Sequence, residues 1–311
     1  MDLSLSEVQS MVQESARKFS NTELMPVAAR LDQQNDRVTL LKNLKKLADL
    51  GFMGINIDAA YGGTEAGTVA FSLAITEIAR GCASTAVTTS VTNMVAEVIQ
   101  AVGSEAQKNN YLPKICNGDF SAGAFCLTEA SAGSDPSGMK TRAIKQGGQW
   151  VLNGAKQFIT SAEYAGVFIV WAVTDSTLPK GKGISCFLVD ANTPGMSIGK
   201  AENKMGQHAS STNEVVFENC CVPEEALLGE LNRGYKVAVG ELAGGRIGVG
   251  SMALGIASAA MDFARDYIKE REQFGQSIAN FQGIQWMLAD ALPVRFQLQL
   301  HKIIWADAKG K

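Results

Sequence analysis

Residues 125–135, FCLTEASAGSD, set the hydroxyls of Thr128, Ser131 and Ser134 beside two acids and Gly133, directly after an apolar entry at Phe125 and Leu127. Hydroxyls and free backbone N–H groups suit a polar, planar or phosphorylated ligand. Gly133 lets a ligand or a second backbone come close. A solvated, well-capped loop has the same composition, because loops are commonly polar. A second such stretch is REQFGQSIANFQ, which offers Arg271, Gln273, Phe274, Phe281 and Gln282. Read locally, it is a helix end with surface charges. In KQFIT the residues Phe158, Ile159 and Thr160 read locally as an ordinary strand with alternating faces.

The elements that position these residues follow from periodicity. Residues 1–118 are helical. EVQSMVQESARKFS and LLKNLKKLADLGF carry apolar residues at helical spacing, and Gly51 is a plausible stop. VAFSLAITEIARGCASTAVTTSVTNMVAEVIQAVG is alanine-rich and apolar nearly all round, as a buried helix pair is. Residues 119–226 form a β domain. GVFIVWAV, GISCFLVD and NEVVFENCCVP are short runs rich in β-branched and aromatic residues. QWVLNGAKQFIT predicts a hairpin turning at Asn153-Gly154. After Pro223 the helical pattern returns. Residues 227–311 open with one very long helix rich in small residues.

The 311 residues set a prior of about two domains. A hydrophobic content of 46 % gives ample core-forming material. Lys and Arg number 28 against 31 Asp and Glu, for a net charge of −3, and no basic stripe marks a nucleic-acid binder. No apolar run approaches the roughly 20 residues of a membrane span. The N-terminus lacks the basic flank of a signal peptide. Six cysteines without a C-x-x-C pair, and two histidines, make a zinc site an unfavoured reading. These features point to a cytoplasmic, reduced protein. No G-x-G-x-x-G follows a strand, so a Rossmann fold is poorly supported.

CLTEASAGSDPSG (126–138) resembles the first signature of the acyl-CoA dehydrogenase family. So do YGG (61–63), KQFITSAE (156–163), KMGQHASSTNEVVFENCCVPEEALLGE (204–230) and REQFGQSIANFQ (271–282), in order and in register. The resemblance covers about residues 1–290. It implies an α+β multidomain fold: an N-terminal all-α domain, a middle β-barrel or sandwich, and a C-terminal helical bundle that is incomplete here.

It also implies FAD as cofactor and an acyl-CoA thioester as substrate. A carboxylate removes the α-proton, a β-hydride moves to the flavin, a trans-2-enoyl-CoA results, and an electron-transferring flavoprotein takes the electrons in fatty acid β-oxidation. By resemblance, Phe125, Leu127, Thr128, Gly133 and Ser134 lie along the cofactor, with Ser134 also touching the thioester. Phe158, Ile159 and Thr160 meet the flavin; many relatives carry Trp at the position of Phe158. Arg271, Gln273, Phe274, Phe281 and Gln282 reach the FAD of a neighbouring subunit, which implies a homo-oligomer, usually a tetramer built as a dimer of dimers. Leu242, Gly245 and Arg246 lie in the CoA region, where Ala243 replaces a common Asp.

The family places its catalytic base at one of two positions. One is Gly245 here; the other is expected beyond Lys311, the subgroup of short-, medium- and some branched-chain enzymes. Glu241, one turn before Gly245, reads better as a capping or solvated acid than as a substitute base. Pro293 falls where relatives continue a helix, and HKIIWADAKGK resembles the family again, which a frame-shifted patch or a shortened chain would explain. A second reading is therefore a flavin- and CoA-binding chain without its catalytic glutamate, and a third an unstable fragment. An oxidase that uses oxygen directly also fits the motifs.

Overall fold

The computed structural model describes residues 4–290, so Pro293 and HKIIWADAKGK lie outside the described residues. The chain forms two compact units, Met1–Gly255 and Ile256–Lys311.

The first unit opens with six helices. Ser6 caps α1 (Glu7–Phe19), and Gln9 returns the hydrogen bond to complete a capping box. After a short π turn come α2 (Ala28–Gln34) and α3 (Arg37–Asp49), the latter capped by Asp36. The expected buried pair is α4 (Gly67–Gly81) and α5 (Ala83–Val102). Leu40, Leu44 and Leu47 of α3 meet Ile75 and Ile78 of α4 in one core. The buried hydroxyls of Thr88, Thr89 and Thr92 bond back to carbonyls of their own helix, at 3.1, 2.9 and 2.8 Å. Asn93 ties α5 to the preceding loop, receiving Ile55 N–H and donating to the Phe52 carbonyl, both at 2.9 Å. Ser104 forms a second capping box on α6 (Glu105–Cys116), which continues through Pro113.

Eight strands follow: β1 (Gly123–Cys126), β2 (Arg142–Gln146), β3 (Gln149–Thr160), β4 (Val167–Val173), β5 (Ile184–Asp190), β6 (Met196–Ala201), β7 (Thr212–Pro223) and β8 (Leu227–Leu228). Their order is β6-β7-β3-β2-β4-β5-β8, with β1 parallel to β4. The halves β6-β7-β3-β2 and β1-β4-β5-β8 meet at one register pair, Arg142 with Val173. Between them lies a core of Trp150, Leu152, Phe168, Val170, Phe187 and Phe217. The other face of β4, with Val167, Ile169 and Trp171, packs in a second cluster with Val95, Val98 and Ile99 of α5. Burial on both faces explains why β4 and β5 read as unbroken apolar runs.

The hairpin expected at Asn153-Gly154 is not there. The turn falls at Gly147-Gly148, both with positive φ, and β3 runs straight through Asn153 and Gly154. Asn153 instead accepts a hydrogen bond from Asn219 N–H at 2.8 Å. Gly154 is required by closeness, since a Cβ there would lie 2.6 Å from the Thr141 Cα. β1 and β6 were not anticipated. β1 is too short to alternate, and β6 contains Gly199 and only half-buried or exposed residues.

Helix α7 (Gly234–Glu270) begins in the first unit and ends before Arg271. By length and composition α7 is apolar enough to cross a membrane, a test that core helices of soluble proteins also pass. Its first half packs on α4 and α5, with Ser251 Oγ and Ser72 Oγ 2.8 Å apart. In the second unit, β9 (Glu272–Gln273) and β10 (Gln276–Ser277) pair as a small hairpin before α8 (Gln282–Asp290).

One titratable group ties the β domain to the N-terminal helices. His208 Nε2 lies 2.7 Å from the Lys204 carbonyl, and Nδ1 lies 3.0 Å from Asp32 on α2. The protonated ring donates from Nε2 to the Lys204 carbonyl and forms an ion pair through Nδ1 with Asp32, whose Oδ1 accepts the His208 backbone N–H. These contacts raise the His208 pKa above its usual 6.5, the Lys204 carbonyl contributing most. The stabilisation is complete below pH 6.5 and fades as pH rises through the folded value. The melting-temperature gap between the wild type and His208→Gln should therefore be wide at pH 5.5 and narrow by pH 8.5. A gap unchanged across that range would contradict the assignment.

Candidate functional site

The loop that follows β1 is anchored at both ends. Gly123 lies so close to α5 that a Cβ would sit 2.6 Å from Val95, and its N–H points at Thr92 Oγ1, 3.3 Å away. The Phe125 ring lies 4.3 Å from that of Trp171, whose indole N–H donates to the Gly234 carbonyl at 2.8 Å. Glu129 and Ala132 exchange backbone hydrogen bonds of 3.1 and 3.0 Å, which close the turn.

Beneath the turn is a buried ion pair. Lys156 on β3 has no solvent exposure and Glu129 only 6 %. The ammonium lies 2.8 Å from the Glu129 carboxylate and 3.2 Å from the Leu127 carbonyl. Glu129 also receives the N–H groups of Lys140 and Thr141, at 2.6 and 3.0 Å. Burial alone would raise the Glu129 pKa. The Lys156 charge and these hydrogen bonds outweigh it and hold the carboxyl below the usual range, so it stays ionised.

Two residues past Lys156, β3 bulges. Its register against β7 slips between Lys156 and Ile159, and Phe158 adopts φ +59° with 61 % of its surface exposed. A bulky residue held there is strained, and its surroundings must over-determine it. Gln157 N–H donates to the Thr128 carbonyl at 2.8 Å, and Ser161 N–H to the Ser211 carbonyl at 2.8 Å. The structure thus brings Thr128 together with Phe158, Ile159 and Thr160. Ile159 is buried, and Thr128 and Thr160 are half-buried. Close by, the Ser161 and Ser211 hydroxyls are buried without a hydrogen-bond partner.

Gly133 and Ser134 stand exposed at the loop tip. Their neighbour Asp135 pairs with Lys180 at 2.7 Å, and a Cβ on Gly181 would lie 3.7 Å from the Tyr235 ring at the start of α7. Leu242 is half-buried and packed in the cluster shared by α5 and β4, and Arg246 is exposed. A Cβ on Gly245 would lie 2.6 Å from Met94 Sδ. A Cβ on Gly244 would lie 3.9 Å from both Glu241 Oε1 and Glu97 Oε2. Beside these acids is a cavity of about 670 Å³, lined by Val98, Ala101, Val102, Val237, Lys236 and Glu241 among others.

In the second unit, the hairpin brings Arg271, Gln273, Phe274, Phe281 and Gln282 into one segment. Phe274 is 92 % exposed with φ +54°, and its ring meets Phe281 edge-on at 6.2 Å. Arg271, Gln273 and Gln282 are all exposed.

Sequence reading passed over Lys156, Glu129 and Glu97. Lys156 left a signal, because Trp150, Leu152 and Lys156 share the inward face of a period-two strand. A lysine on that face needs a buried acid. Nothing local marks Glu97, which becomes notable only when α7 brings Glu241 against it.

The geometry defines a three-part enzyme-like chain with a polar shelf between a β bulge and a tight turn. Comparison with known proteins agrees. The N-terminal, middle and C-terminal acyl-CoA dehydrogenase domain models match residues 6–119, 124–220 and 232–298. The chain belongs to the acyl-CoA dehydrogenase family. It is 44 % identical over 293 residues to acryloyl-CoA reductase (NADH) of Anaerotignum propionicum, covering 93 % of this chain and 73 % of that protein. It is 41 % identical to the short-chain specific acyl-CoA dehydrogenase of Clostridium acetobutylicum, covering 93 % and 76 %. The butyryl-CoA dehydrogenase structure from Megasphaera elsdenii superposes with a TM-score of 0.90 at 37 % identity, over 98 % of this chain and 80 % of that one. A Bacillus anthracis acyl-CoA dehydrogenase complexed with FAD superposes at 0.86 and 34 % identity, over 92 % and 48 %. A chain in a structure described as the electron transferring flavoprotein of Acidaminococcus fermentans superposes at 0.89 and 42 % identity, over 93 % and 76 %.

Burial, and then the Glu97 charge, push the Glu241 pKa up to about 8. Its Oε1 is buried without a hydrogen-bond partner. A raised carboxyl pKa means that the folded state holds a proton the unfolded state has lost. Stability therefore falls as pH rises from about 4.5 towards 8. Glu241→Gln should match the wild type in melting temperature at pH 4.5 and exceed it by a few degrees at pH 8.5. Equal melting temperatures at both values would show that the carboxyl is not so confined.

Proposed function

We propose that this chain binds FAD and an acyl-CoA thioester and carries out α,β-dehydrogenation of the acyl group to a trans-2-enoyl-CoA. The observation that carries the reading is the placement of Thr128 against the bulged segment 157–160. The half-buried Thr128 beside one exposed, strained aromatic ring suits a planar, hydrogen-bonding group. FAD, when bound, supplies the hydride acceptor.

Thr128 offers its hydroxyl and N–H to the polar edge of that group. Phe158 presents a ring face, and Ile159 and Thr160 complete the wall. Phe125 and Leu127 support the shelf from below. Gly133 and Ser134 lie where the cofactor and the thioester both pass, and Leu242, Gly245 and Arg246 flank the CoA arm. Arg271, Gln273, Phe274, Phe281 and Gln282 serve the cofactor of a neighbouring subunit, so the working form is a homo-oligomer, a tetramer by the family pattern. The electrons pass to an electron-transferring flavoprotein, and the site of action is the cytoplasm. No carboxylate among the described residues is assigned as the proton acceptor. A binding chain that holds flavin and CoA without turnover is the alternative.

Anaerobic titration of the FAD-loaded protein with butyryl-CoA tests the reading. Bleaching of the oxidised flavin absorbance band is the expected result. FAD retention and butyryl-CoA binding without bleaching would favour the non-catalytic reading. Failure to retain FAD at all would overturn both.

A further inference from the structure

A second cavity, of about 430 Å³, is lined by charged groups from two parts of the first unit. Asp32 and Arg37 come from α2 and the start of α3, and Glu202, Lys204 and His208 from the segment after β6. The two acids already have donors. Asp32 Oδ1 accepts the His208 backbone N–H and pairs with the ring. Glu202 accepts from Gln157 Nε2 at 3.0 Å. The cations are less well served. Arg37 pairs with Glu163 through Nη1, while its Nε is buried without a hydrogen-bond partner. Leaving a buried donor unpaired costs its full desolvation. Lys204 donates to the Ser210 carbonyl at 2.8 Å, one bond from a group with three protons to give. Burial, and then the Arg37 charge, hold the Lys204 pKa below its ordinary value against the opposing pull of Asp32 and Glu202.

What this cavity lacks is an acceptor that carries negative charge. A single water would fill one N–H but leave the two like charges opposed, and the space is many times a water's share of about 30 Å³. We propose that the cavity is an oxyanion site, in which Arg37 Nε and Lys204 Nζ hold a phosphate ion or a phosphomonoester group between α3 and the 201–208 segment. Charge-assisted hydrogen bonds from a guanidinium and an ammonium are the strong kind for such a ligand. The site also reaches the bulge of β3. Glu202 holds the Gln157 side chain, and the Gln157 N–H donates to the Thr128 carbonyl at 2.8 Å. A bound ion steadies the 201–208 segment and, through Glu202, that contact. The inference does not depend on the acyl-CoA reading.

The test is isothermal titration calorimetry of the purified protein with inorganic phosphate, in excess FAD and with NaCl holding the ionic strength constant. The wild type should bind phosphate saturably, with a Kd of about 1 mM or tighter. Arg37→Gln should weaken binding about tenfold or more, the scale of one lost charge-assisted hydrogen bond. Lys204→Gln should weaken it in the same way, and it carries the test if Arg37→Gln, which also loses the pairing with Glu163, fails to fold. Lys145→Gln removes a positive charge on β2 and should leave the Kd unchanged. Adenosine monophosphate, titrated in the same way, separates the two sources. Tighter binding than phosphate marks a phosphomonoester site, and equal or weaker binding a site for the free ion. Absence of saturable phosphate binding in the wild type would overturn the proposal. So would an affinity unchanged in both Arg37→Gln and Lys204→Gln, or a loss of the same size in Lys145→Gln, either of which would mean an adventitious ion only.

Discussion

The ion pair between Lys156 and Glu129 is the contact on which the site depends. It joins the strand that bulges to the turn that carries Thr128, and it does so in a place without solvent. An isolated charge there would be costly, and a pair with unfilled hydrogen bonds little better. Glu129 avoids this by collecting two backbone N–H groups as well as the ammonium. The carboxylate thus fixes the path of residues 139–141, while Lys156 fixes the Leu127 carbonyl. The stretch 125–135 can remain polar and open at its tip because its base is held from beneath.

The same region is braced by the helices. Helix α5 touches β1 at Gly123, the 52–55 loop through Asn93, and α7 through Met94 and Ser90. Its buried Thr88, Thr89 and Thr92 return their hydroxyls to carbonyls of the same helix, which lets it lie in the centre of the first unit despite many polar residues. The strained backbone at Phe158 is affordable only within such a frame. Ser161, bonded to Ser211, closes the bulge on one side, and Gln157, bonded to Thr128, closes it on the other.

Much of this was legible in the sequence where one physical rule acted alone. The helix pair α4–α5 followed from near-uniform apolarity, and β4 and β5 from their unbroken β-branched runs. The turn at Asn153-Gly154 misled, because Asn-Gly is a strong hairpin signal until a close approach to Thr141 explains the glycine differently. The shelf residues were found through family motifs rather than local chemistry. Phe158 reads as a plain strand residue, and its positive φ comes from tertiary pairing with β7. Glu97 and Glu241 lie 144 positions apart in sequence, and only the packing of α7 on α5 makes them neighbours.

The most direct measurement is the FAD dissociation constant of Lys156→Met, read from flavin fluorescence at a temperature where circular dichroism shows the variant folded. If the pair holds the turn against the bulge, the unpaired Glu129 carboxylate will rearrange residues 127–129. The dissociation constant should then rise by about tenfold or more, equivalent to about 1.4 kcal/mol. A folded variant that binds FAD as tightly as the wild type would contradict the account.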